Sequence, residues 1–247
     1  NLEMQMIEAY NEGLKEFNKG DVFFAAKKFN EVELLYPQSI WAPRSTLMAA
    51  YVYYSQLYFN DAIQELTRFL DKYKNHPNTD YAYYLLAICH YNQIVDEKKD
   101  LGEIVKAKTY FNLLIKEYPD TEFAEDAKFK LELIEEVLAS KELYLANYYM
   151  DREKWIPAMN RFKKIVKHYD TTIFVEEALF RLVELNYKLG LRDEAKKYTA
   201  LLGYNYQSSD WYERSYKILN TNYEKPQIKK DLNKQKSLLK KFKKLFQ

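Results

Sequence analysis

The chain has 247 residues, 38 of them basic and 36 acidic, so the net charge of +2 at pH 7 gives no overall reason to bind nucleic acid. Its 47% hydrophobic residues suffice for a packed core, while 5 Gly and 6 Pro supply too little turn chemistry for a β-rich fold. The single cysteine, Cys89, excludes an internal disulfide, and no run of 18 apolar residues is present to cross a membrane.

Taken in order, the predicted elements come in pairs. The first pair spans about 6–39: Gly13 falls where its first helix meets its second, Gly20 and Asp21 supply a turn and a helix start, and Tyr36-Pro37 closes it. A second pair, about 41–77, carries Ala50, Tyr53 and Tyr54, is expected to turn at Asn60-Asp61 into Ala62, Leu66 and Leu70, and ends at His76-Pro77. The third, about 80–119, holds Tyr83, Leu86 and Ala87 and then Ala107 and Phe111, with an insertion around Asp96 to Gly102. No Gly or Pro interrupts Glu122 to Met150, which predicts one long helix or two abutting ones leading through a fourth pair, about 123–170. Pro157 falls in the first turn of that pair's second helix, where a missing N–H is tolerated. The fifth pair, about 172–203, turns at Gly190 to Asp193 into Ala195, and a closing helix is expected over 208–219.

One spacing recurs through these pairs: A-x-x-x-F followed eight residues later by Pro, as Ala25, Phe29, Pro37 and again as Ala107, Phe111, Pro119. Ala62 with Leu66 and Ala158 with Phe162 are close variants, whereas Thr199 stands where the fifth pair should place an aromatic residue. This is the second-helix half of the tetratricopeptide pattern, a helical hairpin of about 34 residues in which small residues let two helices approach. The expected fold is therefore all-α, a solenoid of about five such hairpins over 1–219 followed by a Lys-rich tail over 220–247.

The tail has nine Lys against two acidic residues, a net charge of +7 that leaves the rest of the chain at about −5. Ile228, Leu232, Leu239, Phe242 and Phe246 recur at helical spacing within it, so an amphipathic basic helix is expected. Lys240, Lys241, Phe242, Lys243, Lys244 and Phe246 suit a partner or an anionic lipid surface.

Catalytic constellations are missing. His76, His90 and His168 stand far apart without paired ligand spacing, and no Gly-rich phosphate loop occurs. Neither enzyme activity, a metal, a cofactor nor a nucleic-acid partner is expected. Cys89 lies in the stretch Tyr84 to Tyr91 and reads as a small buried apolar side chain. With 24 Tyr and 14 Phe, some aromatic residues must face outward as contact surface, which favours binding an extended or hairpin-like apolar peptide.

Several stretches resemble the BamD family, the tetratricopeptide lipoproteins of the outer-membrane β-barrel assembly machinery. The resemblance rests on Leu35-Tyr36-Pro37 with Trp41-Ala42, on His76-Pro77-Asn78-Thr79-Asp80-Tyr81-Ala82-Tyr83, on the third-pair insertion, and most specifically on Tyr148 to Arg161 with its paired tyrosines, Arg, Trp and Asn-Arg. It implies a non-catalytic scaffold on the periplasmic face of a Gram-negative outer membrane, beside other lipoproteins of the complex. By the same resemblance Tyr149, Arg152, Trp155 and Arg161 contact the periplasmic domains of BamA, and Tyr36, Trp41, Tyr54 and Tyr81 form a groove for unfolded barrel precursors. The family is anchored through a lipidated N-terminal Cys, whereas this sequence starts at Asn1 with its one Cys internal, so the expectation is either that the leader and anchor lie outside these residues or that the anchor is absent and the basic tail helps hold the membrane surface.

The competing reading is a tetratricopeptide adaptor or co-chaperone for other peptides. Such proteins grip a C-terminal carboxylate with Lys and Asn on the first helix of consecutive repeats, and Tyr10 and Leu14 at those positions make no such clamp. Another periplasmic repeat protein fits the hairpins but leaves the Tyr148 to Arg161 segment unexplained.

Overall fold

A computed structural model describes residues 2–94 and 101–220. Most of the predicted insertion and the Lys-rich tail, with Lys240, Lys241, Phe242, Lys243, Lys244 and Phe246, lie outside the described residues. Among those described there are eleven helices and no strand: α1 (Leu2–Lys19), α2 (Val22–Leu35), α3 (Trp41–Ser55), α4 (Phe59–Lys72), α5 (Thr79–Asn92), α6 (Gly102–Glu117), α7 (Glu122–Met150), α8 (Trp155–His168), α9 (Val175–Lys188), α10 (Arg192–Asn205) and α11 (Asp210–Leu219). The uninterrupted stretch ending at Met150 is a single helix of 29 residues, started by Thr121, whose hydroxyl accepts from the Ala124 amide. Two compact units divide the chain, residues 1–178 and residues 179–247, with the boundary inside α9.

Within the first unit each helix from α1 to α8 packs on the next in sequence, and α5 also touches α7. The recurring Ala and large residue explain why. Ala25, Ala62, Ala107 and Ala158, with Phe29, Leu66, Phe111 and Phe162, are all fully buried, one turn apart on α2, α4, α6 and α8. The small residue brings two backbones close and the large one fills the space beside it; truncating such a Phe to Ala costs about 3–5 kcal/mol. Gly13 completes the first pair, because a Cβ there would sit 3.0 Å from the Phe29 ring.

The turns between paired helices share a backbone device. Gly20, Leu57 and Glu153 take φ of 85°, 65° and 56°, and the following amide in each case donates five residues back, Asp21 to Glu16, Tyr58 to Tyr53 and Lys154 to Tyr149, at 2.9–3.0 Å. This is the left-handed helix stop that glycine adopts freely and other residues adopt at a cost of about 1–2 kcal/mol. The second turn is thus centred on Leu57, and the expected turn residues Asn60 and Asp61 lie instead in the first turn of α4. There the Asp61 carboxylate favours the positive end of the helix.

The second helix of each pair in this unit ends the same way. Tyr36, Tyr73, Tyr118 and Tyr169 cap α2, α4, α6 and α8, each donating its amide to the carbonyl four residues back. In the second unit Gly190 has φ of 80°, Tyr206 caps α10, α10 packs on α11, and Phe180 meets Trp211 at 5.1 Å. Thr199 is buried where the aromatic residue was expected, its hydroxyl donating to the Ala195 carbonyl at 3.1 Å.

Candidate functional site

Two surface cavities in the first unit are lined by three of the site residues singled out from sequence, Tyr149 and Arg161 in one and Tyr81 in the other. One opens at the α7–α8 turn. Arg152 sits there, exposed, with its guanidinium 3.6 Å above the Tyr148 ring and its Nη1 donating to the Tyr148 carbonyl at 3.2 Å. Tyr148 in turn meets Tyr149 edge to face at 5.8 Å. A positively charged group held flat on a half-exposed ring is preorganised for a partner carboxylate at little entropic cost. Beside it lies a cavity of about 380 Å³ lined by Tyr149, Ile156, Pro157, Asn160, Arg161 and Lys164. Trp155, the first residue of α8, is half-buried.

Arg161 has a second allegiance that sequence did not reveal. Its Nη1 donates to the Oε2 of Glu142 at 3.0 Å, and Lys164 holds the other oxygen at 2.6 Å. Glu142 is buried inside α7, with these two part-exposed cations as its ion-pair partners. The hydrogen bond to Glu142 holds the Arg161 guanidinium above its usual pKa, keeping it protonated.

The second cavity, about 290 Å³, is lined by Arg44, Leu47, Met48, Tyr51, Asn78 and Tyr81. Of the four groove residues named from sequence, Tyr81 lines it directly. Trp41 stands next to it, edge to face on Tyr10 at 5.1 Å and 5.3 Å beneath the Arg44 guanidinium. Tyr54 reaches it through Tyr51, at 6.4 Å between rings. Tyr36 does not join them: it is exposed at the end of α2, and no ring contact ties it to the other three among the described residues. Burial raises the Tyr81 hydroxyl to a pKa of about 12, so it stays a neutral donor. Arg44, Leu47, Met48, Tyr51 and Asn78 are the lining residues that the sequence argument left out of this site, although Arg44 follows Trp41 at the i+3 spacing that puts both on one helix face.

Among the described residues no group of His, Cys, Asp and Glu is placed to hold a metal. Cys89 is fully buried, and burial pushes its thiol up to about 12, which removes the thiolate needed for reactivity. No helix among the described residues is long and apolar enough to cross a membrane.

Comparison with known proteins follows the same lines. The family described as Outer membrane lipoprotein, YfiO, matches residues 2–202. The chain is 36% identical over 219 residues to outer membrane protein assembly factor BamD of Caulobacter vibrioides, covering 89% of this chain and 72% of that protein. It is 35% identical over 215 residues to the BamD of Rickettsia prowazekii, covering 87% and 85%. Among solved structures, the TPR2AB domain of yeast Sti1 in complex with pHSP90 overlays with a TM-score of 0.45 at 14% identity, over 87% of this chain and 82% of that one. The chain thus belongs to the outer membrane lipoprotein family of the BamD assembly factors.

Proposed function

We propose that this chain is a non-catalytic scaffold of the outer-membrane β-barrel assembly machinery, held on the periplasmic face and binding the periplasmic domains of BamA through the α7–α8 edge. The observation that carries the reading is the Arg152 guanidinium stacked on Tyr148, the neighbour in sequence of Tyr149, which lines a cavity together with Arg161. An exposed, prepositioned arginine with aromatic neighbours has the composition of a binding hot spot. Arg152 supplies the charge, Tyr149 and Trp155 supply apolar anchors, and Arg161 contributes the part of its guanidinium that Glu142 leaves available.

The early helices take the second role, receiving unfolded barrel precursors in the aromatic cavity between α3 and the start of α5. Trp41, Tyr54 and Tyr81 then offer apolar surface to side chains of an extended strand. Tyr36 joins only if a bound strand runs on toward the end of α2.

Titration calorimetry with the periplasmic domains of BamA tests the first role. Arg152→Glu should weaken binding by about 2 kcal/mol or more if its pair is desolvated in the complex. Because Arg152 makes no ion pair with a carboxylate among the described residues, this reversal leaves the fold intact and reports on the interface. Wild-type affinity in Arg152→Glu and in Trp155→Ala would refute the assigned edge.

A further inference from the structure

We infer that the outward face of the first half of α7, with Ile173 from the α8–α9 connection at its end, docks a basic amphipathic helix of a partner protein. This goes beyond the two binding roles above and uses neither of their cavities, since Leu133 lies roughly 22 Å along the helix axis from Tyr148.

The face is defined by what packs on its opposite side. Ala124, Ala127, Ile134 and Leu138 are buried and turn one side of α7 into the unit, so at about 3.6 residues per turn Glu125, Phe129, Glu132, Leu133 and Glu136 fall on the far side. Phe129 and Leu133 stand one turn apart there, 56% and 38% exposed. Where the stripe reaches Glu136 the α8–α9 connection crosses it: the Ile173 amide donates to Glu136 Oε1 at 3.2 Å, and Ile173 is itself 78% exposed. Three large apolar residues thus follow one another along a line left open to water, which is the mark of a surface that another molecule covers.

The charges along the stripe decide what covers it. Glu125 belongs to the first turn of α7, where the helix dipole favours it. Glu132 and Glu136 lie beyond that turn and repel each other at the i,i+4 spacing. On the flank Glu135 has Lys108 at 3.1 Å, but Glu132 and Glu136 have no cation partner among the described residues. The second oxygen of Glu136 is shielded from water and meets no donor among them. A partner's Lys or Arg supplies what these carboxylates lack, and does so beside apolar side chains that cover Phe129, Leu133 and Ile173. Because the apolar and acidic positions recur turn by turn along a straight helix, the complementary arrangement is a second helix laid along the first. Lys128 stands about a quarter turn away and does not interrupt the stripe. An anionic lipid surface would be repelled by the same carboxylates.

The test uses the full chain and a fluorescein-labelled peptide of four helical turns, built from Leu and Lys at amphipathic spacing. One counterpart carries Glu for every Lys, and a second carries Ser for every Leu. Fluorescence anisotropy should show the Leu-Lys peptide binding at least about tenfold tighter than either counterpart, with an affinity that falls as salt is raised. Glu125→Lys combined with Glu132→Lys should weaken it at least about tenfold, and so should Phe129→Ser combined with Leu133→Ser. Glu3→Lys combined with Glu8→Lys makes the same change of charge on exposed positions of α1 and should leave the affinity unchanged. Circular dichroism confirms that each variant is folded. An equal loss in the α1 variant overturns the proposal, since it shows the peptide following net charge alone. Unchanged binding in the Phe129 and Leu133 variant also overturns it, because the apolar stripe is then not covered. Failure of wild type to bind the Leu-Lys peptide overturns it outright. Self-association in analytical ultracentrifugation that the α7 substitutions abolish, with peptide binding unaffected, assigns the face to a second copy and overturns it as well.

Discussion

Arg161 is the obvious target for a charge reversal at the proposed BamA-binding edge, and the buried Glu142 predicts that this experiment would mislead. The Glu142 side chain is only 7% exposed, while Arg161 and Lys164 are 37% and 45% exposed. Breaking a fully buried pair by removing one partner costs about 3–5 kcal/mol, and an exposed pair contributes about 0.2–1 kcal/mol. With one buried and one part-exposed member, and Lys164 still in place, Arg161→Met should destabilise by about 1–2 kcal/mol. Arg161→Glu should cost about 1 kcal/mol more, because a second carboxylate then faces Glu142 across a partly desolvated gap. Urea unfolding of wild type, Arg161→Met, Glu142→Gln and the double variant gives the coupling directly, and about 1 kcal/mol or more is expected. Coupling below about 0.3 kcal/mol, or identical costs for Arg161→Met and Arg161→Glu, would refute the argument. A binding loss in Arg161→Glu is interpretable only after this stability loss is measured, which is why Arg152 is the better probe.

Three further outcomes follow from the fold. Gly20→Ala should cost about 1–2 kcal/mol in denaturant unfolding, all of it from the backbone, since φ there is 85° and a Cβ would meet nothing within 4 Å. Gly13→Ala should cost about 1–3 kcal/mol for the opposite reason, a methyl pressed to 3.0 Å from the Phe29 ring, and Phe29→Leu should relieve part of it in the same assay. Glu33 should make the first unit acid-sensitive. Burial by itself would raise its carboxyl, but Lys72, Tyr73 and Arg68 outweigh that and hold it below the ordinary 4.5. A depressed folded pKa means that the stabilisation is complete above about pH 4.5 and is lost as pH falls through the lower folded value. Melting temperatures of wild type and Glu33→Gln should therefore differ at pH 7 and converge toward pH 3.

The helix pairs were legible because their signal is local. Ala25 with Phe29 and Ala107 with Phe111 lie one turn apart, and a small residue before a large one states by itself which face approaches a neighbour. Of the tyrosines that end the second helices of the first unit, Tyr36 and Tyr118 are announced by the Pro that follows each, whereas Tyr73 and Tyr169 have no adjacent Gly or Pro to announce a stop. Leu57 hid the second turn for the same reason, as a left-handed φ on a leucine has no compositional mark. The sites were harder to read. Arg152 and Tyr148 are four residues apart and were found within one motif, whereas Glu142 is joined to Arg161 and Lys164 across 19 and 22 residues. The Arg44 cavity draws on α3 and the segment opening α5, with a platform from α1, so only the packed helices bring it together.

The central claim is that the α7–α8 edge is where the assembly machinery is engaged. A photo-crosslinking amino acid placed at Ile156, which is 60% exposed beside Arg152 and Trp155, tests it in the intact cell envelope, with Val105, 55% exposed on α6, as the comparison position. The account predicts an adduct with BamA from position 156, lost when Arg152→Glu is added, and none from position 105. An adduct from position 105 alone, or none from position 156 while the protein remains folded in the envelope, would contradict it.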